Sequence, residues 1–242
     1  MSLYGGAQNR RITTTDLKSA KTAGEKWPMI TSYDALTARI FDEAGYPALL
    51  VGDSAAMVVY GFDSTIPVTV EDLLPLVGAV VRGSSRAMVI ADLPFGSTVT
   101  PELAVLTATR FMKEAGAHAV KIEGGIEMIE HIKALVANGV PVIGHIGLRP
   151  QHVHSMGGYR VQGRGEAGEA ILADALAIEA AGVFAMVLEV IPRELAKRIT
   201  EKVSVPTIGI GAGADTDAQV IVWQDLVGLN SLKPAKFVKQ FA

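Results

Sequence analysis

Lys121 and Glu123 stand two residues apart in the run His118-Ala119-Val120-Lys121-Ile122-Glu123-Gly124-Gly125, an apolar stretch that stops at a glycine pair. In a strand, residues two apart share a face, so Val120 and Ile122 point one way and Lys121 and Glu123 the other. A cation and an anion on the inner face of a buried strand are costly unless they are paired or used. Other apolar runs end the same way, with Asp34, Asp53-Ser54, Asp92, His145 and Glu189. Several carboxylates beside a lysine suit a hard divalent cation such as Mg²⁺, which takes one or two carboxylates plus an oxygen-rich substrate. No His-rich or Cys-rich set is present for zinc.

Each residue also has a plainer reading. Asp34, just before Ala35-Leu36-Thr37, is either a helix cap or a site residue. His145 reads as a hydrogen-bonded wall of the site rather than a ligand. Lys121 is either a cation that orients a substrate carboxylate and stabilises enolate charge, or a Schiff-base nucleophile with a depressed pKa. Neighbouring carboxylates hold an ammonium charged, which favours the first. Glu189 stands apart from the acids, after the apolar Met186-Val187-Leu188. Apolar surroundings suit it to general-base work, and the alternative is a cap for the helix at Pro192.

These residues need elements that bring them together. The apolar runs are Met29–Ser32, Ala48–Gly52, Ala87–Ala91, Ala119–Ile122, Pro141–Gly144, Phe184–Leu188, Thr207–Ile210 and, weakest, Asp225–Gly228. Between them lie helical patterns over Leu36–Ala44, Val70–Val81, Pro101–Ala115, Glu127–Ala137, Glu166–Ala180 and Pro192–Val203, with Pro234–Phe241 after the last. A shorter helix is expected within Ala214–Trp223. Strands alternating with helices predict a parallel sheet covered on both faces, and eight units in 242 residues favour one (β/α)₈ barrel over residues 1–242. No GxGxxG follows the first strand, which argues against a dinucleotide fold. Thr13-Thr14-Thr15-Asp16 starts a further helix, ending at Gly24, that would close the barrel bottom. Barrels carry their chemistry at the C-terminal ends of the strands, where these ionisable groups fall.

Composition excludes several classes. A net charge of −3 gives no basic surface for nucleic acid, and the absence of cysteine leaves no disulfide frame and no thiolate chemistry. With 49% hydrophobic residues a large core is available. No apolar run approaches the ~20 residues that span a bilayer, and Met1–Arg11 lacks a signal-peptide core, so a cytoplasmic protein is expected. Gly209-Ile210-Gly211-Ala212-Gly213 is either a phosphate cradle or a tight turn. The glycine-rich stretch Ser155–Gly165, with Tyr159, Arg160 and Arg164, is long for a barrel connection and reads as a lid or a subunit contact.

Leu50-Val51-Gly52-Asp53-Ser54, Ala91-Asp92-Leu93-Pro94-Phe95-Gly96-Ser97, Val120–Gly125, Gly144-His145-Ile146-Gly147-Leu148, Gly157–Arg164, Leu188-Glu189-Val190-Ile191-Pro192 and Gly209–Gly213 together resemble the ketopantoate hydroxymethyltransferase family, in that family's order. The resemblance implies a Mg²⁺-dependent (β/α)₈ barrel, a cytoplasmic homodecamer, in pantothenate synthesis. It implies that Asp53 and Asp92 hold Mg²⁺, with Glu123 completing the metal site directly or through water. Asp53, Ser54, Asp92 and Lys121 would fix an α-keto acid, and Glu189 would accept the proton at its C3. The one-carbon donor implied is 5,10-methylenetetrahydrofolate, a folate co-substrate. Thr98-Val99-Thr100 is shorter than the family's usual sequence there, and Asp217-Ala218-Gln219 stands where Asp-Gly-Gln is usual.

Three competing readings share parts of this pattern. A lyase or mutase of the phosphoenolpyruvate mutase and isocitrate lyase kind uses the same metal-enolate logic, but often with a catalytic cysteine, which this chain lacks. A Schiff-base aldolase would use Lys121 covalently. A barrel that only binds metabolites has no use for Glu189.

Overall fold

Strand pairing closes the sheet on itself. In the computed structural model, which describes residues 2–3, 10–229 and 234–242, eight parallel strands pair in chain order and the last returns to the first. They are β1 (Trp27–Thr31), β2 (Ala48–Val51), β3 (Met88–Asp92), β4 (Ala119–Glu123), β5 (Val142–Gly147), β6 (Ala185–Glu189), β7 (Thr207–Ile210) and β8 (Ala218–Ile221). Closure leaves no sheet edge, so every strand is paired on both sides.

The two-residue period of each strand sorts the core into two layers. Met29, Ala48, Leu50, Met88, Ile90, Ala119, Ile143, Ala185, Val187, Ile208 and Val220 point inward and fill the barrel. Ile30, Leu49, Val51, Val89, Ala91, Val120, Ile122, Val142, Ile146, Met186 and Leu188 point outward and pack against the helices. Those helices are α1 (Thr14–Thr22), α2 (Ala35–Glu43), α3 (Ala55–Val58), α4 (Val70–Gly83), α5 (Pro101–Lys113), α6 (Ile129–Ala137), α7 (Ala167–Ala181), α8 (Arg193–Lys202) and α9 (Trp223–Leu226). Their starts are set by short polar side chains. Thr69 and Asp72 form a reciprocal capping box on α4, and the Thr100 hydroxyl accepts from the Leu103 N–H, with Pro101 opening α5.

Helix α1 lies across the N-terminal end of the barrel, as its sequence predicts. Leu17 and Ala20 are fully buried in the same cluster as the barrel interior. Lys21 donates to Asp217 Oδ2 at 2.7 Å and to the Thr200 carbonyl at 2.9 Å, tying α1 to the base of the barrel's last strands. Most of the Met1–Arg11 stretch lies outside the described residues.

Three expectations fail, all near the C-terminus. The eighth strand is Ala218–Ile221, not Asp225–Gly228, and no helix occupies Ala214–Trp223. Ala218 and Val220 are buried while Gln219 is exposed, a two-residue alternation in a β-branched run, whereas Trp223–Leu226 turns into a single helical turn. Residues 234–242 form no helix either.

Helices α2 and α4 meet at Gly83, where a Cβ would lie 2.4 Å from the Ala35 carbonyl oxygen and 2.7 Å from its Cα. Alanine gains up to about 1 kcal/mol over glycine in a helix, but overpacking against a backbone costs about 1–3 kcal/mol and no rotamer relieves it. Gly83→Ala is therefore expected to lower the urea-unfolding free energy by about 1–2 kcal/mol. An unchanged or higher midpoint would show that the two helices do not meet there.

Candidate active site

The same alternation that fills the barrel with apolar side chains puts charged ones in its uppermost layer. Asp92 ends β3, Lys121 and Glu123 end β4, His145 lies near the end of β5, and Glu189 ends β6. In register, Asp92 pairs with Lys121 and Glu123 with His145, so these groups are neighbours across the ladder. Asp53 follows β2 by two residues and joins them. Asp53, Asp92, Lys121, Glu123 and His145 are all buried.

Lys121 is the centre of the group. Its Nζ lies 2.9 Å from Asp92 Oδ1, 3.7 Å from Glu123 Oε1 and 3.1 Å from His145 Nδ1. His145 lies between two carboxylates, with Nδ1 3.3 Å from Glu123 Oε1 and Nε2 3.2 Å from Glu189 Oε2. Glu189 is thus joined to the acidic group through one imidazole, not set apart as its sequence position suggests. Around the rim, the Asp53 N–H donates to Asp92 Oδ2 at 3.1 Å.

The neighbouring charges shift these groups in different directions. Burial alone would lower the Lys121 pKa, but Asp92, Glu123 and Asp53 outweigh it and raise it above the ordinary lysine value. That direction is opposite to the depressed pKa a Schiff-base nucleophile needs, and it favours the orienting role for Lys121. Burial and Lys121 pull His145 down, yet Glu123 and Glu189 lift it to about 9. Burial opposes ionisation of Glu123, but His145 and Lys121 hold its pKa down to about 2. Asp53 goes the other way. Burial, then Asp92 and Glu123, raise it well above the carboxylate range. The cluster carries more acid than its two cations balance, and Asp53 takes the upward shift that this excess causes.

This electrostatic imbalance fits a divalent cation. Among the described residues no three His, Cys, Asp or Glu side chains are gathered so that together they could hold a metal ion. Mg²⁺ does not need such a set, because it keeps waters and substrate oxygens alongside one or two carboxylates. Asp92 Oδ1 and Glu123 Oε1 are buried acceptors that receive no hydrogen bond and touch the cations only as ion pairs. Buried acceptors of that kind, beside Asp53, are the donor set a hard cation takes.

A cavity of about 210 Å³ opens over the group, lined among others by Thr31, Ser54, Asp92, Lys121, Glu189 and Tyr159. A larger groove of about 650 Å³ runs along α1 at the opposite end of the barrel and contains none of these groups. Ser54 Oγ is 2.8 Å from the Tyr33 hydroxyl, which fixes it at the cavity wall. Tyr159 places part of the Ser155–Gly165 stretch at the mouth. Asp34 takes no part. Its carboxylate accepts from the Leu36 and Thr37 N–H groups at 2.8 and 2.9 Å and caps α2. Gly211 and Gly213 adopt positive φ, so the Gly209–Gly213 stretch contains the tight turn.

Two features of the site carry no clear sequence signal. Gln151, in the loop after β5, donates through its side chain to Asp53 Oδ2 at 2.9 Å and to the Leu93 carbonyl at 3.0 Å. Its own N–H donates to Glu123 Oε2 at 3.1 Å. Val190, directly after Glu189, has φ of 47°, a strained value for a β-branched residue costing on the order of 1–3 kcal/mol. It is held there because its N–H donates to the Ile210 carbonyl at 2.8 Å and its carbonyl accepts from Gln162 at 2.9 Å. On the other side, Gly147 has φ of 92°, and a Cβ there would lie 2.3 Å from the Glu189 carbonyl oxygen. Glu189 is clamped between these neighbours.

Known proteins match this chain along its whole length. Residues 11–242 match the family model described as ketopantoate hydroxymethyltransferase. The 3-methyl-2-oxobutanoate hydroxymethyltransferase of Thermobifida fusca (strain YX) is 63% identical over 243 residues, covering 100% of this chain and 86% of that protein. The protein of the same name from Mycolicibacterium paratuberculosis (strain ATCC BAA-968 / K-10) is 56% identical over 252 residues, covering 100% of this chain and 88% of its own length. Among solved structures, a phosphonopyruvate hydrolase complexed with oxalate and Mg²⁺ superposes with a TM-score of 0.65 at 15% identity, over 86% of this chain and 80% of that one. A 2,3-dimethylmalate lyase of the PEP mutase/isocitrate lyase superfamily gives 0.62 at 19% identity, over 86% and 80%. At such identities the likeness shows the barrel fold alone.

Removing one partner of a buried charge group strands the others. Lys121→Met should destabilise the metal-free protein by about 3–5 kcal/mol, because Asp92 and Glu123 lose their shared cation. Denaturant melts at neutral pH test this, and a loss under about 1 kcal/mol would contradict the charge balance described.

Proposed function

The chain belongs to the ketopantoate hydroxymethyltransferase family, and we propose that its barrel mouth carries out the family's reaction by metal-assisted enolisation followed by one-carbon transfer. The activity itself is hydroxymethyl transfer to 3-methyl-2-oxobutanoate. The observation that carries the mechanism is the layout of the chamber. Asp53, Asp92, Lys121 and Glu123, from the β2–β4 side, face Glu189 on β6 across one small cavity.

In this reading Asp53 and Asp92 would hold Mg²⁺, with Glu123 beside them directly or through a water. Bound there, the ion would supply Lewis-acid polarisation of the keto oxygen. The chain's own groups do the rest. Lys121, fixed as the ammonium, donates to the α-keto acid and offsets its developing negative charge. Ser54, braced by Tyr33, binds the same substrate. Glu189 takes the C3 proton. His145 Nε2 faces Glu189 Oε2 at 3.2 Å, an ion-pair contact that orients the carboxylate and leaves its other oxygen for the substrate. The resulting enolate carbon forms a new C–C bond to the one-carbon unit of 5,10-methylenetetrahydrofolate. Water supplies the hydroxyl, and tetrahydrofolate leaves as the donor's C–N bonds break.

The acid group is wholly enclosed by the barrel wall, so substrate reaches it from the mouth, past Tyr159. A lid role for Ser155–Gly165 agrees with that position. The family resemblance supports a cytoplasmic homodecamer. Leu36 and Ile40, one turn apart on α2, stand 71% and 60% exposed. Among the described residues no helix is long and apolar enough to cross a membrane.

Glu189→Gln keeps the shape and removes the base, so turnover of 3-methyl-2-oxobutanoate and methylenetetrahydrofolate should fall by at least ~10²-fold with little change in melting temperature. Steady-state assays of the purified variant decide it, and retention of more than a tenth of the parent rate would rule out Glu189 as the base. Exhaustive EDTA treatment should abolish turnover and added Mg²⁺ restore it. Full activity after chelation would exclude the metal role.

A further inference from the structure

Gln151 is a neutral residue in the short turn after β5, yet it is bonded to two of the carboxylates of the acidic group, Asp53 and Glu123. Its side-chain nitrogen has two hydrogens. One is donated to Asp53 Oδ2 at 2.9 Å and the other to the Leu93 carbonyl at 3.0 Å, so both donors of that amide are used. Its main-chain N–H is donated to Glu123 Oε2 at 3.1 Å. The residue is buried, and its partners come from the loop after β2, the end of β3 and the end of β4. A single residue thereby fixes one carboxylate at the end of β4 and another two residues beyond β2.

The consequence is a choice of oxygen. With Oδ2 of Asp53 engaged by the amide, Oδ1 is the oxygen left to meet a cation. With Oε2 of Glu123 engaged by the N–H, Oε1 is turned towards Lys121 and His145, at 3.7 and 3.3 Å. The Leu93 carbonyl anchors the amide so that its donor edge, not its acceptor edge, faces Asp53. An amide turned the other way would set its oxygen against a carboxylate and a carbonyl, which neither could satisfy.

We propose that Gln151 is the positioning residue of the cation site: it selects which oxygens of Asp53 and Glu123 face the cavity and holds them in place before the cation arrives. It touches neither the substrate nor the reacting atoms in this account and acts through the two carboxylates. Because Gln151 also begins the connection that runs on to Tyr159, the same bonds root that connection on the cation site. The inference rests on the metal-assisted reading above.

The test is calorimetric titration of Mg²⁺, and of Mn²⁺ as a spectroscopic substitute, into the metal-free chain with no substrate present. Gln151→Met keeps the length and removes both donors. Gln151→Asn keeps the amide one methylene too short. Loss of hydrogen bonds that orient ligands typically weakens metal binding ~10–100-fold. The Met variant is expected in that range, with Asn between it and the parent, and electron paramagnetic resonance of bound Mn²⁺ should show a changed ligand environment. Turnover at saturating Mg²⁺ should recover most of its loss, since the defect lies in cation affinity. Cation affinities within twofold of the parent in both variants would overturn the proposal, even if both melt at lower temperature. If the Met variant does not fold, the Asn variant decides between the same two outcomes. A parent that binds neither cation would overturn the metal reading itself, and this proposal with it.

Discussion

Everything at the barrel mouth depends on one buried ammonium. Lys121 is enclosed by the carboxylates of Asp92 and Glu123 and by His145, with Asp53 beyond. Placing charges this deep is unfavourable unless each finds a counter-charge or a hydrogen bond. The cluster answers that demand almost, but not fully. It keeps an acidic excess, which burial expresses as a raised proton affinity on Asp53. A proton can fill that deficit, and so can a divalent cation with a substrate oxygen on it.

The barrel supplies this arrangement cheaply in sequence terms. One alternation rule decides that Lys121 and Glu123 enter the interior while Val120 and Ile122 pack outside. Parallel register then sets Asp92 beside Lys121 and Glu123 beside His145 without any loop having to be precise. Below that layer the interior is apolar, from Ile90 and Ile143 down to Leu17 and Ala20 of the closing helix. The charges thus sit on a dry floor with an opening above, where Coulomb interactions are strong and water enters from one side.

How much of this was legible in the sequence follows from which contacts are local. The Lys121–Glu123 pair, the acids at Asp53, Asp92 and Glu189 and the first seven strands are patterns of spacing, and each is found where the spacing puts it. Asp34 and Asp53 look alike on paper. The first lies three residues beyond β1, where α2 begins at once and takes it as a cap, while the second turns inward. The eighth strand was misplaced because Ala218-Gln219-Val220-Ile221 is short and follows β7 with no helix between. Asp225–Gly228, the weakest of the eight apolar runs, turns into a single helical turn instead. Gln151 was invisible for a different reason. Its partners, Glu123, Leu93 and Asp53, lie 28, 58 and 98 residues away, and a neutral amide in a loop has no periodicity. The His145 bridge to Glu189 likewise exists only once β5 and β6 are side by side.

The central claim is that the acid–lysine cluster and Glu189 together remove the C3 proton of the keto acid before any one-carbon unit is needed. Proton magnetic resonance of 3-methyl-2-oxobutanoate in deuterium oxide, with enzyme and Mg²⁺ but no folate, measures that step alone. The account predicts loss of the C3 proton signal that depends on enzyme and on Mg²⁺. A C3 signal that persists until folate is added, or that is lost equally after the metal is removed, would contradict it.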